Sequence, residues 1–172
     1  MNAATSRVAL FALSLAAGCS SEDTGPSQAH LDDVGRVRVL MATDPTVAAV
    51  QDVERVADGR PVEAGRRVRT GALPSAEEQL ERARGLEVLS PQGRRYRRRL
   101  VRIYSDRVEA LTAYAHVLER AAQDEDALVA ALRAQSEVEM ELLAVHQELD
   151  TVAPLSPNTE PPRPEADEPS TP

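Results

Sequence analysis

Between Gly93 and Pro154 the chain runs sixty residues with neither Gly nor Pro, and its apolar positions fall into two rows. The first row is Leu100, Tyr104, Val108, Leu111, Ala115, Leu118 and Ala122. The second is Leu128, Ala131, Gln135, Val138, Leu142, Val145, Leu149 and Val152. Alternating steps of three and four place these side chains along one helix face, as in helix-on-helix seams. The rows do not share a register: extending the first leads to positions 125, 129 and 132, whereas the second begins at 128 and 131. At the break stands Gln123-Asp124-Glu125-Asp126, where Asp124 is a competent N-cap followed by acids in the first turn. The pattern predicts a helical hairpin over about 91–152, with one continuous helix as the alternative. Folding back near 124 sets residue i beside roughly 248 − i, so Leu100 meets Leu149 and Tyr104 meets Val145.

Punctuation upstream marks further helices. Asp44-Pro45 supplies a cap and a first-turn proline, and Gly59 a stop, so a helix is expected over 45–58 with Val50, Val53 and Ala57 on one side. Ser75-Ala76-Glu77-Glu78 reads as a capping box opening a helix through about Leu89, with Leu80 and Ala83 inward. Ser90-Pro91 restarts the chain. Leu31–Met41 fits two readings: Val37 and Val39 alternate like a strand, while Leu31, Val34 and Met41 keep helical spacing. Two helices with an Ala-rich seam bury little apolar surface, so the shorter helices, or a partner, must cover the hairpin. The expected fold is all-α, a small antiparallel helical bundle built around the long hairpin, with 31–153 as its body. Self-association is the alternative way to cover the seam. Ser20–His30, with Gly25 and Pro26, reads as a flexible tether, and 154–172, with seven prolines and four acids, as an extended disordered tail.

Composition narrows the classes. At 172 residues, 42% apolar and 28% charged, the chain suits one modest ordered domain. Its single Cys excludes an internal disulfide framework and any cysteine-rich zinc site. No stretch reaches the ~18 to 20 continuous apolar residues of a membrane-spanning helix. The first residues are informative in another way. Met1–Arg7 is short, polar and positively charged, Val8–Ala17 is apolar, and Gly18 and Cys19 follow. This is the build of an export signal.

Leu15-Ala16-Ala17-Gly18-Cys19 resembles the lipobox of bacterial lipoproteins, in which small residues precede an invariant Cys. That family favours Leu three places before the Cys, where this chain has Ala16 and carries Leu15 one place earlier. The resemblance implies removal of residues 1–18 as a lipoprotein signal peptide and a lipidated Cys19, with 19–30 linking it to the body. It also implies a cell-envelope location, lipid-anchored to a membrane. Ser20, rather than Asp, after the Cys favours the outer membrane, facing the periplasm.

Charge supplies one further candidate site. Arg94, Arg95, Arg97, Arg98, Arg99 and Arg102 are the densest like-charge cluster, in a chain whose net charge is −8 and which has no Lys. Residues 137–150 carry five acids and no Arg, and the hairpin register places the Arg block against Glu148 and Asp150. Pairing within the chain is the first reading of the cluster; an anionic partner, whether lipid headgroup, glycan or acidic protein, is the other. Nucleic acid is not expected at an exported protein, and Tyr96 is the lone aromatic among these arginines. His30, His116 and His146 lack the spacing of a ligand set, so no metal or cofactor is expected. Glu137, Glu139 and Glu141 lie two apart and splay around a helix. No phosphate-cradling loop or nucleophile elbow occurs, and a lipidated Cys19 cannot serve as a nucleophile.

The resulting expectation is a non-enzymatic envelope protein with a structural or protein-interaction role. A second resemblance supplies the alternative. Leu89-Ser90-Pro91-Gln92 and Leu155-Ser156-Pro157-Asn158 bracket the helical region. They are similar to the Leu-Thr-x-x-Gln motifs of small periplasmic helical chaperones and metal-stress sensors. Here Ser replaces Thr, Gln92 stands one place early and the second copy lacks Gln. That likeness implies a membrane-tethered chaperone or a stress or metal sensor.

Overall fold

A computed structural model describes residues 25–120 and 123–154, and all regular structure among them is helical. Helix α1 spans Gln28–Ala42, α2 Thr46–Ala57 and α3 Pro61–Arg67. A π turn over Val68–Ala72 leads directly into α4, Leu73–Arg84. The two long helices are α5, Pro91–Glu119, and α6, Glu125–Val152. The fold is all-α, and the long pair is the hairpin that the two apolar rows predict. No helix among the described residues is long and apolar enough to cross a membrane. The proposed signal peptide 1–18, Cys19, the seam residue Ala122 and the tail from 155 onward lie outside the described residues.

Capping explains where the long helices begin. Ser90 has extended backbone, its Oγ accepts from the Gly93 amide at 2.8 Å, and Pro91 takes the first helical position. Asp124 likewise is extended and accepts from the Ala127 amide at 2.9 Å. Ion pairs fix the hairpin register: Arg99 to Glu148, Arg102 to Glu141 and Arg107 to Glu139. These pairings fall within about a turn of the expected register.

α5 is the spine of two cores. Its first half contributes Tyr96, Leu100, Ile103 and Tyr104, which pack with Val34, Val37 and Leu40 of α1, Leu80 and Ala83 of α4, and Val138, Leu142, Val145 and Leu149 of α6. Its second half contributes Leu111, Tyr114, Ala115 and Leu118, packed with Val53 and Val56 of α2 and with Ala64, Val68, Ala72 and Ala76. On the side of α3 and α4 this second core is lined largely by alanines, where the helices approach α5 closely. A Cβ added at Gly65 of α3 would lie 2.9 Å from Glu119 Cγ and 3.0 Å from the Ala115 carbonyl oxygen.

Three expectations are corrected. The tether does not extend to His30, because α1 starts at Gln28, capped by Ser27 Oγ; the two-way segment 31–41 is helix, with Val34, Val37, Leu40 and Met41 buried on one face. Ser75 does not open a helix. Ala64, Val68, Ala72, Ala76 and Leu80 recur every four residues across it, a longer period than the 3.6 of an α-helix. The π turn, in which the Leu73 amide reaches back to the Val68 carbonyl, absorbs the excess and carries the helical path into Pro74. That helix also stops at Arg84 rather than near Leu89. Side chains of α1 and α5 claim the backbone of 86–89: Arg36 donates to the Glu87 carbonyl at 3.2 Å, Arg94 to the Leu89 carbonyl at 2.7 Å and Arg97 to the Leu86 carbonyl at 3.4 Å.

Candidate functional site

The start of α5 is organised around a fully buried acid. Asp33 of α1 accepts from the Ser90 amide and the Ser90 hydroxyl, each at 2.7 Å, and from the Leu89 amide at 3.1 Å. Gly93 leaves the room: a Cβ there would lie 2.2 Å from Asp33 Oδ2 and 2.7 Å from Cγ. A carboxylate at a helix N-terminus is favoured by the macrodipole, and here it offsets the arginines of the same two turns, which the dipole opposes. Burial alone raises the Asp33 carboxyl, but the Ser90 hydroxyl and amide, the Leu89 amide and Arg36 outweigh it and hold the group below the usual carboxylate range.

Around this anchor the six arginines separate into three roles. Arg99 and Arg102 pair with Glu148 and Glu141 of α6. Arg94 and Arg97 hold loop carbonyls. Arg95 and Arg98 are exposed and make no ion pair or hydrogen bond among the described residues. Asp150 does not face this block as expected. It pairs with Arg38 of α1 at 2.8 Å, and that guanidinium also binds the Leu149 carbonyl at 3.0 Å, closing the last turn of α6 against α1. Glu148 and burial act together on Tyr96: burial first, then the carboxylate, push its hydroxyl up.

A second polar centre lies halfway along α5. Arg107, 5% exposed, meets Asp44 and Glu139 at 2.5 Å each and lies 5.7 Å from the centre of the Tyr104 ring. Asp44 does two jobs, since its other oxygen accepts from the Thr46 amide at 2.9 Å and starts α2. Next to it, Gln79 donates to the Leu40 carbonyl at 2.8 Å and to Tyr104 Oη at 3.2 Å. Burial above all pushes the Tyr104 hydroxyl up to about 12.

Arg107 floors an open groove of about 560 Å³ between α2 and α6, walled by Val47, Val50, Leu132 and Met140. Thr46 Oγ1 and Gln135 Nε2, both at its edge, are buried without a hydrogen-bond partner among the described residues. The groove borders an apolar row on the outer side of α6. Val129, Leu132, Met140 and Leu143 are large apolar residues on the surface, Leu132 at 44% and Met140 at 65% exposure. With Ser136 they step by three and four, so α6 carries a second stripe on the face that the hairpin does not cover.

Sequence reasoning passed over Asp33, Gln79 and Arg107, and read Asp44 as a helix cap without its arginine partner. Their signal was a polar residue at seam spacing: Arg107 stands between Tyr104 and Leu111, and Asp33 one turn before Val37. The histidines do not converge. His30 stacks on Tyr96 at 6.3 Å between ring centres, while His116 and His146 are exposed on different helices. Among the described residues, no three His, Cys, Asp or Glu side chains come together to hold a metal ion. Carboxylates at the two polar centres are engaged by arginines or backbone amides, an arrangement that orients helices. No protein-family model, curated protein or solved structure matches this chain.

Proposed function

We propose that this chain is a lipid-anchored protein of the bacterial cell envelope, held at the outer membrane and facing the periplasm, with a non-enzymatic role in protein interaction. The anchor is supported by Leu15–Cys19 following an apolar run, with Cys19 the only thiol in the chain. The interaction role is carried by one observation: the uncovered apolar row Val129, Leu132, Met140 and Leu143 beside the α2–α6 groove. Monomeric surfaces seldom leave a contiguous large apolar stripe without a use. An amphipathic helix laid into a groove is a recurring mode for such a face, with anchors at three- and four-residue steps.

Two measurements test this. Intact mass of the protein from its native host is expected to match a chain starting at Cys19 plus fatty chains; a bare thiol removes the anchor. Photocrosslinkers placed at Leu132 and Met140 are expected to trap one discrete envelope protein or a second copy of this chain. Equal yields from these sites and from an exposed polar site such as Glu109 would remove the interaction role. The same open apolar face favours the chaperone as a second reading. A chaperone suppresses aggregation of an unfolded client at near-stoichiometric amounts, and absence of suppression eliminates it.

A further inference from the structure

We propose that the start of α5 is a docking face for anionic lipid headgroups, on which Arg95 and Arg98 settle when the chain is held by Cys19. The inference rests on the lipid-anchor reading and adds to it which end of the bundle faces the bilayer and what that surface must carry.

The geometry joins the arginines to the anchored end. α1 begins at Gln28, nine residue steps after Cys19, a reach of at most about 32 Å. The first turns of α1 lie beside the first turns of α5: Asp33 binds Ser90, and His30 stacks on Tyr96. The hairpin tip, by contrast, is a full α5 length away, about 43 Å for its 29 residues. Thus the chain enters the body at the arginine-rich end, and the tether is shorter than the bundle.

Charge selects the surface. Arg95 and Arg98 stand three apart on one exposed helix side and make no ion pair among the described residues. The acids Asp33, Glu148 and Asp150 at this end are already paired, with Arg36, Arg99 and Arg38. Only the exposed Asp32 and Glu87 there lack an arginine partner among the described residues. The whole chain carries −8, and these two unpaired arginines give the tethered end a local surface that an anionic bilayer attracts.

The unique thiol makes the test independent of native lipidation. A chain beginning at Cys19 contains every helix described above. Its thiol is coupled to a maleimide lipid in vesicles of phosphatidylcholine with or without phosphatidylglycerol. The sequence has no Trp, so Gln92→Trp and Gln123→Trp introduce single fluorophores at exposed positions of the two ends. With phosphatidylglycerol present, spin-labelled headgroups are expected to quench the Gln92→Trp variant and spare the Gln123→Trp variant. Adding Arg95→Ala and Arg98→Ala is expected to lower the docked-to-free ratio about 25-fold, roughly fivefold per arginine. Equal quenching of both reporters, indifference to phosphatidylglycerol, or indifference to the two alanines overturns the docking face. The last outcome with phosphatidylglycerol dependence retained moves the contact to other arginines. A bare Cys19 in the native host, with the vesicle result intact, removes only the anchor.

Discussion

Replacing Gly93 by alanine should destabilise the protein, although alanine is the better helix former. In an ordinary helix interior the change gains about 1 kcal/mol. Here the new methyl would sit 2.2 Å from Asp33 Oδ2, 2.7 Å from Cγ and 2.9 Å from Cβ. Asp33 is fully buried, so its carboxylate has nowhere to retreat without releasing the Ser90 hydroxyl and the Ser90 and Leu89 amides. Each buried donor left unpaired costs about 1 to 3 kcal/mol. With the propensity gain set against part of that loss, Gly93→Ala should cost about 2 to 4 kcal/mol. Asp33→Ala alone should cost about 3 to 5 kcal/mol, because a buried, hydrogen-bonded charge is removed from its donors. The decisive measurement is the double mutant. Once Asp33 is alanine, of the three nearest atoms just its Cβ at 2.9 Å remains, and Gly93→Ala should then cost less than about 1 kcal/mol. Urea unfolding followed by circular dichroism, with linear extrapolation, gives all four corners of the cycle. If Gly93→Ala costs the same in both backgrounds, the carboxylate is not what the glycine makes room for.

The same carboxyl sets an acid limit. Its folded pKa lies below the ordinary value of 3.8, so its contribution is complete above that value and is lost as pH falls through the folded one; the Asp33→Ala variant should lack this increment in an acid titration. Tyr104 works in the opposite direction. Raised to about 12 from 10, it contributes stability fully below pH 10 and loses about 3 kcal/mol as pH climbs to 12, a loss that Tyr104→Phe should abolish in alkaline melts. Arg107→Ala leaves the buried Asp44 carboxylate unpaired and should cost about 3 to 5 kcal/mol by urea unfolding. Gly65→Ala should cost about 1 to 3 kcal/mol, since the new methyl meets backbone of α5 at 3.0 Å. Arg95→Ala and Arg98→Ala should each change stability by no more than about 0.5 kcal/mol in the same assay.

The sequence carried its information unevenly, for physical reasons. Long-range periodicity and caps are local, additive signals, so Asp124, Ser90 and the two 3–4 rows place the hairpin and its register without reference to tertiary structure. Ser75 misleads because its capping box is equally local, yet the four-residue rhythm from Ala64 to Leu80 already runs through it and only a widened turn reconciles the two. The end at Arg84 had a local signal in Gly85, which caps the helix as a stop of the Gly59 kind; the path beyond it is set by Arg36, Arg94 and Arg97 from other helices. Asp33 and Arg107 have meaning only through partners 57 and 63 positions away. The arginine block could be counted from composition, but which members stay unpaired depends on how α1, not α5, takes up Asp150.

The sharing of α5 between both cores has a thermodynamic consequence. Neither half of the body owns a complete interior, because Leu100 and Tyr104 serve one and Leu111 and Ala115 the other on the same continuous rod. Fraying that rod from either end strips its neighbours together, so the molecule should melt in one calorimetric peak despite its two separate clusters of side chains.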